Sequence, residues 1–221
     1  MKIINKKSEK SLIDEFIRQF KKDYLRKKKQ NKRFSIVLTG GRSPIKLYNK
    51  LSKLKIDWNN IDFFWGDERY VSHKSKNSNY KMAFKNLINK IKINQNNIYS
   101  IKTNETISKC SRDYSKIIKN YFKNKKISFD YFLLGMGEDG HIVSIFPNSN
   151  YITKKFICVS LNRKDFKRIT LSLNVINNSK KIILWLNNDL KSKCFNKIKN
   201  LGKKIPVNNL NSKRALVYKI Y

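Results

Sequence analysis

Residues Phe129 to Pro147 read FDYFLLGMGEDGHIVSIFP. An apolar run, Phe129 to Leu134, breaks into a Gly-rich turn carrying two acids and a histidine, then closes on Phe146-Pro147. An open α/β sheet places reactive groups in this way, at the carboxyl end of a buried strand. His141 is one of two histidines in the chain, and imidazole is the side chain whose ordinary proton affinity suits transfer near neutral pH. A purely structural reading also fits these residues: a turn capped by Asp139, with His141 packed against the following helix. The upstream sequence favours chemistry.

Working outward, the spacing predicts strands alternating with helices. Ser11 to Lys28 has apolar residues at helical intervals, and FSIVLT, Phe34 to Thr39, reads as a buried strand. Gly40-Gly41 stops it, and Ser43-Pro44 is expected to open a helix to about Leu54, with Ser43 as its cap. Ile61 to Trp65 reads as a strand running into Gly66-Asp67-Glu68-Arg69, and a helix is expected from about Ser78 to Asn89. Ile98 to Ile101 suggests a short strand, and Thr106 to Tyr121 a helix. Further strands are expected at Phe156 to Leu161, Ile169 to Leu173, Ile182 to Leu186 and Leu216 to Ile220, with a helix near Leu190 to Lys199. The pattern is α/β, a mainly parallel, Rossmann-like sheet with helices on both faces. With no repeat and no Pro/Ser-rich linker, a single domain over residues 1–221 is the simplest organisation.

The formal charge is +35, which invites a nucleic-acid reading. The basic residues, however, are spread along the chain and comprise 41 Lys against 9 Arg, whereas base and bidentate phosphate contacts favour Arg. Asn and Ile number 28 each, and Lys, Asn and Ile are the residues of A+T-rich codons. The charge therefore reads as a solvated lysine surface, and no specific nucleic-acid partner is expected. Cys110, Cys158 and Cys194 form no CxxC or Cys/His ligand pattern, so neither a zinc site nor a disulfide scaffold is expected. No apolar leader or 18-residue apolar run occurs, so a soluble cytoplasmic protein without membrane contact is expected, as a monomer or weak dimer.

Three turns follow apolar strands directly, and such turns gather on one edge of a parallel sheet. Thr39-Gly40-Gly41-Arg42-Ser43-Pro44 suits an anion, because glycines admit close backbone approach and Arg42 and Ser43 add charge and a hydroxyl. It matches neither the P-loop nor GxGxxG, so ATP or a dinucleotide is not indicated. Trp65-Gly66-Asp67-Glu68-Arg69-Tyr70 puts three charges after a buried strand, where they are costly unless paired or used. An internal Asp67–Arg69 pair explains them as well as function does. The third turn holds Glu138, Asp139 and His141.

GGRSPIKLY, WGDERYV with SNYKMA downstream, and FDYFLLGMGEDGHIVSIFP succeed one another as in the 6-phosphogluconolactonase family, which this chain resembles over roughly residues 10 to 200. Arg168-Ile169-Thr170-Leu171 is similar to that family's RxTL strand, and Lys191 stands where the family has a lysine. The chain departs at Asn187-Asn188, where the family has small residues, and matches only loosely after Gly202. Glucosamine-6-phosphate deaminases share the fold but read DEY and GHIAFNEP, against Asp67-Glu68-Arg69 and Gly140 to Pro147 here. The resemblance implies hydrolysis of a sugar-phosphate lactone, with His141 as general base and Asp139 orienting it or the water; no cofactor is expected, and no metal, since the two histidines match no common ligand spacing. Asp67 and Arg69 would lie around the sugar hydroxyls or the carbonyl. Gly40, Gly41, Arg42 and Ser43, with Arg168 and Lys191, would bind the phosphate. The alternatives are an amino-sugar-phosphate deaminase and a noncatalytic basic nucleic-acid-binding protein.

Overall fold

The protein, described by a computed structural model over residues 1–149 and 156–221, is built on a seven-stranded parallel sheet. In chain order the elements are β1 (Lys2–Lys6), α1 (Glu9–Lys29), β2 (Phe34–Leu38), α2 (Ile45–Leu51), β3 (Ile61–Trp65), β4 (Asp67–Arg69), α3 (Asn79–Asn86) and β5 (Ile98–Tyr99). Next come α4 (Ile107–Tyr121), β6 (Tyr131–Leu134), β7 (Cys158–Leu161), β8 (Arg168–Leu171), α5 (Leu173–Asn178), β9 (Lys181–Leu186), α6 (Asp189–Ile198) and β10 (Ala215–Ile220). The large sheet runs β1-β10-β9-β6-β2-β3-β5. From β2 the chain winds outward through β3 and β5, and from β6 it winds the other way. The order therefore reverses between β2 and β6, and a crevice opens outside their carboxyl ends.

Aromatic packing fixes helices on both faces. Ser8 starts α1 with a reciprocal pair of bonds to Ser11, and the helix ends on Arg26, Lys27, Lys28 and Lys29, which suit its dipole. Its buried face lays Phe16 edge-on to Tyr131, Trp185 and Tyr218 at 5.8–6.0 Å between ring centres. On the opposite face Phe64 meets Tyr121 of α4, Tyr99 and Phe129 at 4.6–4.9 Å. Two tyrosines then close strand ends. Tyr48 of α2 accepts from Thr39 N (2.9 Å) and donates to Thr39 O (2.8 Å), and Tyr114 of α4 does the same for Trp65 (2.9 Å both ways). These bonds satisfy main-chain groups just where the strands stop and the glycine-containing turns begin.

Several elements differ from the sequence expectation. Phe156 to Leu161 and Ile169 to Leu173 do not join the parallel sheet; β7 and β8 pair antiparallel with each other and with β4. The charged Asp67-Glu68-Arg69 segment is thus a short strand whose backbone bonds are supplied by β8, not a loop. β1 and α5 were not anticipated, since KIINK is a half-exposed edge strand and α5 has only six residues. Ser43 does not cap α2: the helix begins at Ile45 with Pro44 as its N-cap and no side-chain cap bond, and the Ser43 hydroxyl accepts a 2.6 Å bond from Lys191 Nζ. No helix among the described residues is long and apolar enough to cross a membrane.

Candidate active site

The carboxyl ends of β2 and β6 are tied by Gly135 N, which donates to Thr39 Oγ1 at 3.1 Å. Around this knot lies an open cleft of about 570 Å³ lined by Gly40, Gly41, Arg42, Ser43, Asp67, Arg69, His141, Arg168 and Lys191 among others. The three turns read from the sequence therefore converge. Of the ten candidate residues only Asp139 is outside the lining, and it sits directly behind His141.

The Gly-rich turn shapes the His141 site by close approach. A Cβ at Gly137 would fall 2.1 Å from the His141 ring, so only glycine lets the imidazole lie over this backbone. Asp139 Oδ1 bonds His141 Nδ1 at 2.6 Å and accepts from the His141 backbone N at 3.1 Å. An ionised carboxylate only accepts, so Nδ1 carries a proton, and in the neutral imidazole this tautomer leaves the lone pair on Nε2. Phe146 packs on the ring at 4.6 Å between centres, and the Arg163 guanidinium lies 4.0 Å above the Phe146 ring.

Strand alternation explains the charged segment. Asp67 and Arg69 face the cleft, while Glu68 points the other way, into the start of α3. Glu68 Oε1 accepts from Arg69 N (2.8 Å) and Asn79 N (2.7 Å), and Oε2 accepts from Ser78 Oγ (3.0 Å) and Tyr80 N (2.7 Å). Burial pushes the Glu68 carboxyl up to about 7, against those four bonds, which favour the anion. Asp67 and Arg69 form no ion pair with each other: Arg69 donates to Asn77 O (2.8 Å), and Asp67 is held by Asn79 Nδ2 (3.2 Å) and Ser144 Oγ (2.6 Å). Asn79 also fills the space a Cβ at Gly40 would need, 1.9 Å from its Oδ1. It thereby locks the glycine turn to β4. Sequence reasoning expected a helix from about Ser78 but gave neither Ser78 nor Asn79 a role in the site, and it quoted Ser144 within the FDYFLLGMGEDGHIVSIFP motif without assigning it one.

Arg168 reaches the cleft from β8 as the register partner of Arg69, and it is ion-paired with Asp165. Like charges directly opposite one another repel. Lys191, whose position Asn187-Asn188 put in question, reaches Ser43 because Asn188 caps α6 by accepting from Lys191 N at 2.9 Å. Burial pulls the Lys191 ammonium below the ordinary lysine range. Four cations, Arg42, Arg69, Arg168 and Lys191, thus face one carboxylate, Asp67, in the lining. An anionic ligand relieves that imbalance.

Comparison with known proteins points the same way. The family model of glucosamine-6-phosphate isomerases/6-phosphogluconolactonase matches residues 7–218. The chain belongs to this family. It is 34% identical to a 6-phosphogluconolactonase of Nostoc sp. over 162 residues, 70% of this chain and 67% of that protein. A Thermotoga maritima 6-phosphogluconolactonase is 35% identical over 146 residues, 65% and 64% of the two chains. The matched stretches thus span about two thirds of these relatives' length. The crystal structure of a Thermotoga maritima 6-phosphogluconolactonase superposes with a TM-score of 0.88 at 26% identity, covering 99% of this chain and 98% of that one. A monomeric glucosamine-6-phosphate deaminase has a TM-score of 0.84 at 19% identity over 100% and 97% of the chains, a likeness of fold.

Glu68 carries a pH signature. Its folded value stands above the ordinary 4.5, so the stability it adds is full below about pH 4.5 and lost as pH rises through about 7. In denaturant unfolding, the advantage of wild type over Glu68→Gln should shrink across that window. An advantage that grew with pH would contradict the raised value.

Proposed function

We propose that the protein hydrolyses the ring ester of 6-phospho-D-glucono-1,5-lactone to 6-phospho-D-gluconate, the second step of the oxidative pentose phosphate pathway. One observation carries this reading: the Asp139–His141 pair and the cation-rich Gly40–Ser43 turn open into the same cleft. One end of that cleft suits proton transfer and the other suits a phosphate. The named relatives support the same chemistry.

In this reading His141 Nε2 takes a proton from water as the water oxygen attacks C1. The carbonyl oxygen gathers negative charge, and Arg69, in the cleft wall, is the group that stabilises it. The C1–ring oxygen bond then breaks, and the ring oxygen leaves as a hydroxyl with the proton returned from His141. Asp139 keeps the imidazole in the correct tautomer. Asp67 accepts from the sugar hydroxyls. The 6-phosphate sits at Gly40, Gly41, Arg42 and Ser43, with Arg168 and Lys191 as countercharges. Anchoring remote from C1 supplies binding energy that orients the reacting ester.

One hydrophobic core draws on both sheets and every α-helix, which supports a single domain over residues 1–221. The three cysteines are free, in keeping with a reducing compartment such as the cytoplasm.

Decay of freshly generated lactone, corrected for its unaided hydrolysis, tests the reading. Wild type should accelerate it, and His141→Asn should lower kcat by roughly 10² to 10⁴. A wild type without effect would refute the activity; a mutant with near-normal kcat would remove His141 from the reaction. Lys191→Ala should lose about 1.5–3 kcal/mol of phosphate binding, seen as a roughly 10- to 150-fold rise in KM. An unchanged KM would take Lys191 out of the phosphate site.

A further inference from the structure

Directly after His141 the chain makes a tight turn, Ile142 to Ile145. It is closed by Ile145 N donating to Ile142 O at 2.9 Å and Ile142 N donating to Ile145 O at 3.3 Å. Val143 in this turn has φ +48. A β-branched residue in the left-handed region is a genuine outlier, and a turn selected for stability alone would carry Gly or Asn there. The surrounding contacts hold this conformation in place. Val143 lines the cleft and presses on Gly66, where an added Cβ would lie 2.9 Å from Val143 Cγ1. Ser144, fully buried, turns the other way: its N–H donates to Thr170 Oγ1 at 3.3 Å and its Oγ to Asp67 Oδ2 at 2.6 Å. Thr170 is itself the register partner of Asp67 across β4 and β8. One turn therefore grips two consecutive residues, Gly66 and Asp67, from the loop that carries His141.

Asp67 needs such a grip. It is 5% exposed and takes part in no ion pair among the described residues. A buried carboxylate without a cation depends on its hydrogen-bond donors. Its two oxygens receive one neutral donor each, Asn79 Nδ2 on Oδ1 and Ser144 Oγ on Oδ2. Asn79 belongs to the start of α3, so its bond sets Asp67 relative to the glycine turn. Among the described residues, Ser144 is the hydrogen-bond partner that ties it to the loop of His141.

We propose that Ser144 is a positioning residue for the reaction, fixing the Asp67 carboxylate in register with His141 through the strained Ile142–Ile145 turn. The inference rests on the lactonase reading above. Without the Ser144 hydroxyl Asp67 rotates, and the substrate hydroxyls it receives bring C1 to His141 off line, where small misplacement is costly.

The test is a double-mutant cycle on lactone decay, run well below each variant's thermal midpoint. Ser144→Ala should lower kcat/KM about 10- to 100-fold, Asp67→Asn should lower it at least as much, and the double variant should be no worse than Asp67→Asn. Ser144→Cys, which keeps the shape but donates weakly, should fall between wild type and Ser144→Ala, and it carries the test if the alanine variant does not fold. Additive losses, or a folded Ser144→Ala and Ser144→Cys both within twofold of wild type, would overturn the proposal while leaving the activity intact. A wild type that does not accelerate decay would overturn the lactonase reading and this inference together.

Discussion

The parallel pairing of β2 with β6 is the constraint on which the site depends. These neighbours are far apart in sequence, and on either side of them the chain winds in opposite directions. No helix can cover the gap above their carboxyl ends, so the crevice is a consequence of topology and not of any single side chain. The Gly135–Thr39 bond closes its floor, and the Tyr48 and Tyr114 hydroxyls end β2 and β3 cleanly beside it. Every functional turn is positioned from this point.

Electrostatics then divide the crevice. The small antiparallel sheet brings Arg69 and Arg168 side by side, α6 brings Lys191 and the β2 turn brings Arg42. These cations line one cleft and leave a local excess of positive charge there, distinct from the chain's overall +35 charge, most of which lies on solvated lysines screened by salt. The acids of the region are each engaged separately: Asp139 on His141, Glu68 on the start of α3, Asp67 on Asn79 and Ser144. Among the described residues the cluster is offset at its edges, by Asp165 paired with Arg168 and by Glu138, whose charge acts on Lys191.

Much of this was legible in the sequence for identifiable reasons. Buried parallel strands are continuous apolar runs, so Phe34 to Leu38, Ile61 to Trp65 and Ile182 to Leu186 stand out, and Gly-rich turns mark their ends. What was not legible depends on partners distant in sequence. Asp67 to Arg69 does not look like a strand, because three charges show no apolar alternation; its extended form is imposed by β8, far later in the chain. Ser43 has the right spacing for a helix cap, yet Lys191 claims its hydroxyl. Ser144 reads as a small residue in a loop until Asp67 is found 2.6 Å away. The Asn187-Asn188 departure proved harmless to geometry, since Asn188 caps α6 and leaves Lys191 directed at Ser43.

The central claim is that one cleft joins a phosphate anchor to a histidine base, so that binding at one end serves chemistry at the other. The most direct measurement compares decay of 6-phosphogluconolactone with that of unphosphorylated gluconolactone, both freshly prepared and corrected for spontaneous hydrolysis. The account requires strong acceleration of the phosphorylated lactone and a kcat/KM lower by at least about tenfold for the unphosphorylated one, the loss of one or more charge-assisted contacts. Equal acceleration of both would contradict the phosphate anchor, and acceleration of neither would contradict the whole account.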